Sequence, residues 1–190
     1  MSKPKFFPSL FFLSTLTFFA FVSFVSAESA PQKVIDLAHN EIAAFGYDPI
    51  LVAAVKAENA KNKPIEQIKE IDAKWIATAG VSDFMKSLIE SDAGQHLVEI
   101  RASRPYIAEI FVMDNQGAIV AMSDKTSDYW QGDEAKWQKS FNNRQGAIYV
   151  DEVKFDASSQ SYLVQVSVPI KNGDEAIGAI TFGIDIDRVR

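Results

Sequence analysis

Cysteine is absent from the 190-residue chain, and only two histidines are present. Without cysteine there is no disulfide and no thiol nucleophile, and the ligands that zinc prefers are nearly lacking. His39 and His96 lie far apart in predicted helices, and neither has a metal-ligand residue four positions further along the chain. A Gly-x-Ser-x-Gly motif and a glycine-rich phosphate loop are also missing. These absences favour a protein that is not an enzyme, has no catalytic or metal-binding residues and needs no cofactor.

Basic residues are outnumbered, with 19 Lys and Arg against 25 Asp and Glu. Two of the lysines lie before residue 27, so the rest of the chain carries a net charge of −8. Nucleic acids and anionic lipid surfaces attract clustered positive charge, which this chain does not offer. The composition therefore excludes both classes as the main partner.

Residues 1–27 have the pattern of a signal peptide. Lys3 and Lys5 precede an apolar, Phe-rich run over residues 6–25, and Val-Ser-Ala ends at Ala27 as a signal peptidase requires. A retained membrane anchor is the alternative, because the run approaches the length of a bilayer span. Pro8 and the scattered hydroxyls favour cleavage after Ala27, and hence export to a Gram-negative periplasm. After residue 27 no apolar run approaches that length.

The remaining chain divides into a helical region, residues 28–105, and a strand-rich region, residues 106–190, within one predicted domain. Apolar residues recur at three- and four-residue spacings up to residue 102, which is typical of amphipathic helices. Between the first two helices we assign Gly46 to a C′ position, Asp48 to an N-cap and Pro49 to the first helical turn.

Five strands are predicted after residue 105, joined by turns that contain Asn, Asp and Gly. The predicted strands are residues 107–113, 118–123, 147–155, 162–170 and 176–186. Helices followed by an antiparallel sheet make an α+β fold. The first strand is apolar on both faces apart from Glu109, which is typical of a central strand.

The last strand has one large apolar face and one face of small or polar residues. The apolar face contains Ile180, Phe182, Ile184 and Ile186, and the small face contains Ala179, Thr181, Gly183 and Asp185. Gln165 on the preceding strand shares the small face. Such a face either leaves space for a ligand or is covered closely by a helix, and the sequence leaves both interpretations open.

The segment between the second and third strands, residues 124–144, is polar but contains Tyr129, Trp130 and Trp137. Such large aromatic rings are unusual in a polar loop, because a loop normally cannot bury so much apolar surface. We expect the segment to fold over the small face and roof a cavity, with Lys136 among the charged residues that fix a polar ligand. The alternative is that the aromatic rings fill the core.

The order of several short motifs resembles the Cache family of extracytoplasmic sensor domains, which have a PAS-like sheet. The motifs are Ile110 to Gly117, Asp128 to Asp133, Tyr149 with Asp151, Val168-Pro169-Ile170, and Ile177 to Ile186. The resemblance implies a stand-alone single-Cache module: a PAS-like five-stranded antiparallel sheet preceded by a long N-terminal helical region. It also implies a homodimer through those helices.

By the same resemblance, the chain binds a small polar metabolite, an amine or a short carboxylate. The implied ligand-binding residues are Tyr129, Trp130, Lys136, Trp137, Tyr149, Asp151, Gln165, Thr181 and Asp185. Asp128 replaces the arginine of the Arg-x-Trp-Tyr pattern of amino-acid binders, so an amino-acid ligand is not supported. We expect a periplasmic ligand-binding sensor that acts through a membrane partner. The alternative is a ligand-free interaction protein that modulates a membrane receptor or enzyme.

Overall fold

The computed structural model describes residue 1 and residues 28–156 and 160–189. The predicted signal peptide therefore lies outside the described residues, apart from Met1. The helices are α1 Gln32–Asn40, α2 Pro49–Asn59, α3 Ile65–Ala77, α4 Asp83–Glu90, α5 Asp92–Ala102 and α6 Ala135–Phe141, with 3-10 helices at Ile42–Tyr47 and Asn142–Arg144. The strands are β1 Ile107–Met113, β2 Ile119–Met122, β3 Tyr149–Asp156, β4 Ser161–Asn172 and β5 Glu175–Asp185.

The five strands form one sheet in the order β2-β1-β5-β4-β3, and every neighbouring pair is antiparallel. The last strand of the chain, β5, therefore lies at the centre of the sheet. The predicted α+β class, with five antiparallel strands after a helical region, is confirmed. Within the described ranges, no helix has both the length and the apolar character that crossing a bilayer requires.

One face of the sheet carries the main apolar core. Ile180, Phe182 and Ile184 of β5 are buried there. They belong to the same cluster as Val34 of α1, Leu51 of α2 and other buried residues of the N-terminal helices. The apolar face predicted from alternation along β5 is thus the face that the first helices cover, because alternate side chains point to the same side of a sheet.

The opposite face carries a second, smaller core at one end. It contains Phe111 and Met113 of β1 together with Ile68 and Trp75 of α3 and Met85 of α4. The described sheet is therefore covered on both faces at β1, as the apolar pattern of this strand predicts. The rest of this second face is where the small residues of β5 lie.

The predicted role of Gly46 is wrong. This residue lies inside the 3-10 helix Ile42–Tyr47, and its φ is not in the left-handed region that a C′ glycine adopts. A Cβ atom on Gly46 would stand 2.3 Å from the carbonyl oxygen of Pro169, so glycine is needed for close packing of the helix on β4. The contact joins residues far apart in sequence, which local patterns do not reveal.

The start of α2 follows the prediction. The Asp48 carboxylate accepts hydrogen bonds from the backbone N–H groups of Ile50, at 2.9 Å, and Leu51, at 3.2 Å, and Pro49 opens the helix. The second carboxylate oxygen lies 2.8 Å from Nε2 of His96 on α5. Asp48 therefore caps one helix and contacts another.

We expect Asp48→Ala to lower the free energy of unfolding by about 1 kcal/mol, because the amides at the start of α2 lose their acceptor. Asp48→Asn keeps a capping oxygen and should cost less, since Asn caps helices about as well as Asp. Urea denaturation of both variants measures the difference. Equal destabilisation by Asn and Ala would show that the cap is not what stabilises this helix.

Candidate functional site

A cavity of about 450 Å³ lies between the second face of the sheet and residues 124–144, which we call the cap segment. Its lining residues come from β1, β3, β4 and the cap segment: Glu109, Phe111, Lys125, Thr126, Ser127, Gln131, Lys136, Asp156 and Gln165. A second compartment of about 240 Å³ shares Glu109, Lys136, Asp156 and Gln165 with the first. Charged and amide side chains therefore dominate the space that the small residues of β5 leave open.

The cap segment is held over the sheet by α3. The Asp72 carboxylate accepts hydrogen bonds from the backbone N–H of Tyr129, at 2.8 Å, and of Trp130, at 3.0 Å. The indole N–H of Trp75 donates to the carbonyl of Thr126 at 2.9 Å. One helix thus fixes the segment at three backbone positions, and Thr126 is one of the residues that line the cavity.

Tyr129 is completely buried, with 0% of its surface exposed. Its ring centre lies 5.6 Å from that of Trp75 and 5.7 Å from that of Phe84, within the second core. The hydroxyl accepts a hydrogen bond from Lys63 at 3.1 Å, and Lys63 is also paired with Glu58. Burial raises the pKa of Tyr129, with the Lys63 ammonium acting in the opposite direction. This ring packs in the core and does not line the cavity.

The two tryptophans of the cap segment also use their polar atoms within the protein. The indole N–H of Trp130 donates to the carbonyl of Gln116 at 2.8 Å, and that of Trp137 to the carbonyl of Asp114 at 3.0 Å. Trp137 stacks on Phe141, with ring centres 4.9 Å apart. Neither tryptophan lines the cavity described above.

Lys136 and Gln165 line both compartments of the cavity. Only 8% of the Lys136 side chain is exposed, and its ammonium lies 2.9 Å from the Glu134 carboxylate and 5.2 Å from the centre of the Phe111 ring. The Lys136 charge is therefore balanced by a neighbour in the cap segment. These two are the members of the predicted site that the structure brings together at the cavity.

Sequence reasoning did not assign Glu109 to the site, although it is the one charged residue in β1. Its side chain lies over Gly183, where an added Cβ would stand 2.6 Å from the Glu109 Cγ. Burial raises the pKa of Glu109, and the nearby Gln165 amide and Lys136 ammonium oppose that shift. The feature of the sequence that could have identified Glu109 is its charge within an otherwise apolar central strand.

The other predicted residues lie elsewhere. On β3, the Tyr149 hydroxyl donates to Asp151 at 2.8 Å, and burial together with this bond raises the pKa of Tyr149 to about 12. Burial acts to raise the pKa of Asp151, but hydrogen bonds from Lys154, the Glu152 amide and Tyr149 outweigh it and lower that pKa. Neither Tyr149 nor Asp151 lines the cavity.

Thr181 and Asp185 on β5 are also outside the cavity lining. The Thr181 hydroxyl lies 2.7 Å from that of Ser167 on β4, and both residues are buried. Asp185 instead lines a separate cleft of about 350 Å³, where it pairs with Arg188 at 3.1 Å. The other arginine of that cleft, Arg101, pairs with Asp124, so both of its cations already have acidic partners.

Residues 28–156 and 160–189 contain no group of three His, Asp or Glu residues placed to hold a metal ion. The candidate site is therefore described by its hydrogen-bonding and charged groups. It can hold a small polar molecule between the sheet and the cap segment.

The model of one protein family matches residues 83–190, from the start of α4 through all five strands. The family is described as the first PDC sensor domain of methyl-accepting chemotaxis protein-like proteins. The chain belongs to this family. The resemblance to Cache sensor domains is thereby confirmed, because PDC domains are of the Cache type. No curated protein sequence matches the chain significantly.

Solved structures with some similarity include three bacterial sensor domains. The Campylobacter jejuni chemoreceptor Tlp3 ligand-binding domain, in complex with 4-methylisoleucine, has 15% identity and a TM-score of 0.42, over 74% of this chain and 56% of its own. The ligand-binding domain of the Pseudomonas aeruginosa amino acid chemoreceptor PctC, in complex with GABA, has 10% identity and a TM-score of 0.37, over 78% and 60%. The Vibrio cholerae histidine kinase DctB sensor domain has 12% identity and a TM-score of 0.38, over 84% and 59%.

The chain thus spans 56–60% of the length of these three solved domains. At these TM-scores the similarities carry no argument about ligands, and membership of the sensor family rests on the family model.

Because Tyr129 fills the second core, we expect Tyr129→Ala to lower the free energy of unfolding by about 3–5 kcal/mol. Tyr129→Phe keeps the ring and should cost about 1 kcal/mol, the worth of the hydrogen bond from Lys63. Chemical denaturation distinguishes the two variants. If the alanine variant unfolds at the same denaturant concentration as the unaltered chain, the ring does not support the core.

Stability should also depend on the protonation of Glu109. Its folded pKa is raised, so the folded state carries a costly buried charge at high pH and loses this cost as the pH falls through that pKa. We therefore expect Glu109→Gln to stabilise the protein at about pH 8 and to have a smaller effect near pH 4, where the carboxyl is mostly protonated in the folded and the unfolded state. Urea denaturation at both pH values tests this, with the exposed Glu152→Gln as the control. Equal effects at both pH values would contradict it.

Proposed function

We propose that this chain is a periplasmic sensor module that binds a small polar metabolite in the cavity beneath the cap segment. The observation that carries the proposal is that cavity: about 450 Å³, between the sheet and a fixed cover, and lined by charged and amide groups. Ligand sites are concave and carry a small number of converging polar groups. Membership of a sensor-domain family supports the same conclusion.

The residues that we propose to contact the ligand are those at which the sheet and the cap segment meet. They are Glu109 of β1, Gln165 of β4, and Gln131 and Lys136 of the cap segment. Of the residues predicted from the sequence, Tyr129, Trp130 and Trp137 are proposed to hold the cover in place through their buried rings and hydrogen bonds. Tyr149, Asp151, Thr181 and Asp185 are proposed to support the surrounding strands.

The ligand class that we propose is an amine or a short carboxylate. The cavity lining contains both signs of charge, with Lys125 and Lys136 against Glu109 and Asp156. Oppositely charged groups in one cavity fix the orientation of a polar ligand, whereas an apolar ligand offers them no hydrogen bond. The Arg-x-Trp-Tyr pattern of amino-acid binders is absent, since Asp128 precedes Tyr129-Trp130, so a free amino acid is not the ligand that we expect.

The location and the partner belong to the same proposal. The basic and apolar residues 1–27 support export by a signal peptide, and the family consists of sensor domains. We propose that residues 28–190 act as one domain, since the main core contains residues of both α1 and β5. We further propose that the module forms a homodimer through its N-terminal helices and acts through a separate membrane protein.

A second candidate is a ligand-free interaction protein that modulates a membrane receptor or enzyme. The observation that favours it is the burial of the cap segment: Tyr129 fills the second core, and α6 packs against β4 and β5. Because the cap segment is fixed in one conformation, it could equally form a surface on which a partner protein docks. The two candidates differ in whether a small molecule stabilises the protein.

A thermal-shift screen of amines and short organic acids on the purified chain separates them. A ligand at 100 times its Kd should stabilise the folded state by about 2.7 kcal/mol, which raises Tm by several degrees. Ser127 is exposed and lines the cavity, so Ser127→Trp should fill the entrance and weaken binding by at least about tenfold. Ser87→Trp, on the exposed face of α4, is the matched control and should bind normally. No shift with any compound would favour the interaction protein.

A further inference from the structure

The side-chain amide of Gln131 is held in one orientation. Its Nε2 donates to the backbone carbonyl of Asp128 at 3.1 Å and also to the Asp128 carboxylate. Nitrogen must be the atom that faces Asp128, because the amide oxygen there would meet two acceptors and no donor. Asp128 therefore determines where the other end of the amide points.

The Oε1 atom of Gln131 is left as a buried acceptor. The residue is 1% exposed and lines the cavity, and Oε1 has no hydrogen-bond partner among the described residues. More than nine in ten buried polar groups in native proteins have a partner, so an unpaired acceptor at a cavity marks the place of a missing donor. The fixed amide cannot rotate to supply that donor itself without breaking its two bonds to Asp128.

Glu109 is a second acceptor in the same cavity. Its only hydrogen bond in the described part of the chain is a long one of 3.4 Å from the Gln165 amide. The nearest cation, Lys136, is already bound to Glu134 at 2.9 Å. The other lysine of this compartment, Lys125, donates to the carbonyl of Thr78 at 2.8 Å. Among the residues that the structure describes, the Glu109 carboxylate thus has no cation within ion-pair distance.

We propose that Gln131 and Glu109 together select a ligand that carries a primary ammonium group. The ammonium donates one hydrogen bond to Oε1 of Gln131 and supplies the positive charge that Glu109 lacks. This inference rests on the proposed function and decides between the two ligand classes left open there. An acid without an ammonium group brings no positive charge to Glu109 and meets its carboxylate with a like charge.

Burial of Glu109 supports the proposal from a different direction. Burial raises the pKa of this carboxyl, and the Gln165 amide and the Lys136 charge offset that shift only in part. A bound organic cation would compensate the negative charge of Glu109, because an opposite charge within a few ångströms favours the ionised carboxylate.

The test is a comparison of amines and acids of matched size by isothermal titration calorimetry on the purified chain. The pairs are ethanolamine with glycolate, 1,4-diaminobutane with succinate, and histamine with imidazole-4-acetate. We expect the amine to bind more tightly than its matched acid, by about tenfold or more.

Two variants test whether these residues make the selection. Gln131→Met keeps the side-chain volume but removes Oε1, and Glu109→Gln keeps the shape but removes the charge. Each should weaken binding of the best amine by about 10- to 100-fold, the usual effect of losing a hydrogen bond to a charged group. The controls are Gln138→Met on the exposed surface of α6 and Glu70→Gln on the exposed surface of α3, which should bind within about twofold of the unaltered chain. Because Glu109→Gln is isosteric, it remains informative if Gln131→Met does not fold.

The outcomes separate this inference from the function on which it rests. If the acids bind as tightly as the amines and Ser127→Trp abolishes their binding, the cavity is a ligand site but the selection of ammonium is wrong. If amines bind and neither Gln131→Met nor Glu109→Gln weakens them, the assignment to these residues is wrong. If neither class binds, both the ligand class and the proposed function fall.

Discussion

The candidate site depends on the attachment of the cap segment to α3. A polar segment of this kind lies over a sheet only if its backbone is satisfied and some of its side chains are buried. Here the Asp72 carboxylate accepts from two consecutive backbone amides, and the Tyr129 ring enters the core between α3 and α4. The charged cavity exists because the cover is held at this end while the sheet beneath it carries Gly183 in place of a larger residue.

The sheet could be predicted from the sequence because apolar residues recur in a regular pattern along its strands. Alternation along β5 gave both the strand and its buried face, and Ile180, Phe182 and Ile184 lie in the main core as that pattern predicts. The same reasoning did not predict α6. Lys136 and Ser140 are buried on this short helix, so its polar residues do not mark the exposed side and no amphipathic pattern is visible.

The position of the aromatic rings could not be derived from the sequence. Tyr129, Trp130 and Trp137 need burial, but rings can be buried in the wall of a ligand cavity or in the protein core, and only the contacts with Trp75, Gln116 and Asp114 decide between the two. Glu109 and Gln131 were missed for a related reason. These two residues stand out because their side-chain oxygens have few or no hydrogen-bond partners in the folded structure. Which atoms remain unpaired depends on the fold and cannot be derived from the sequence.

The attachment to α3 also joins the cavity to the helical region of the chain. Thr126 borders the cavity, and its carbonyl is bonded to the Trp75 indole in the middle of the second core. If a bound molecule moves Thr126 or Gln131, the movement is passed through Trp75 and Asp72 to α3, a helix of thirteen residues. A shift of the cap segment on ligand binding would therefore also act on this helix, because Asp72 and Trp75 join the two.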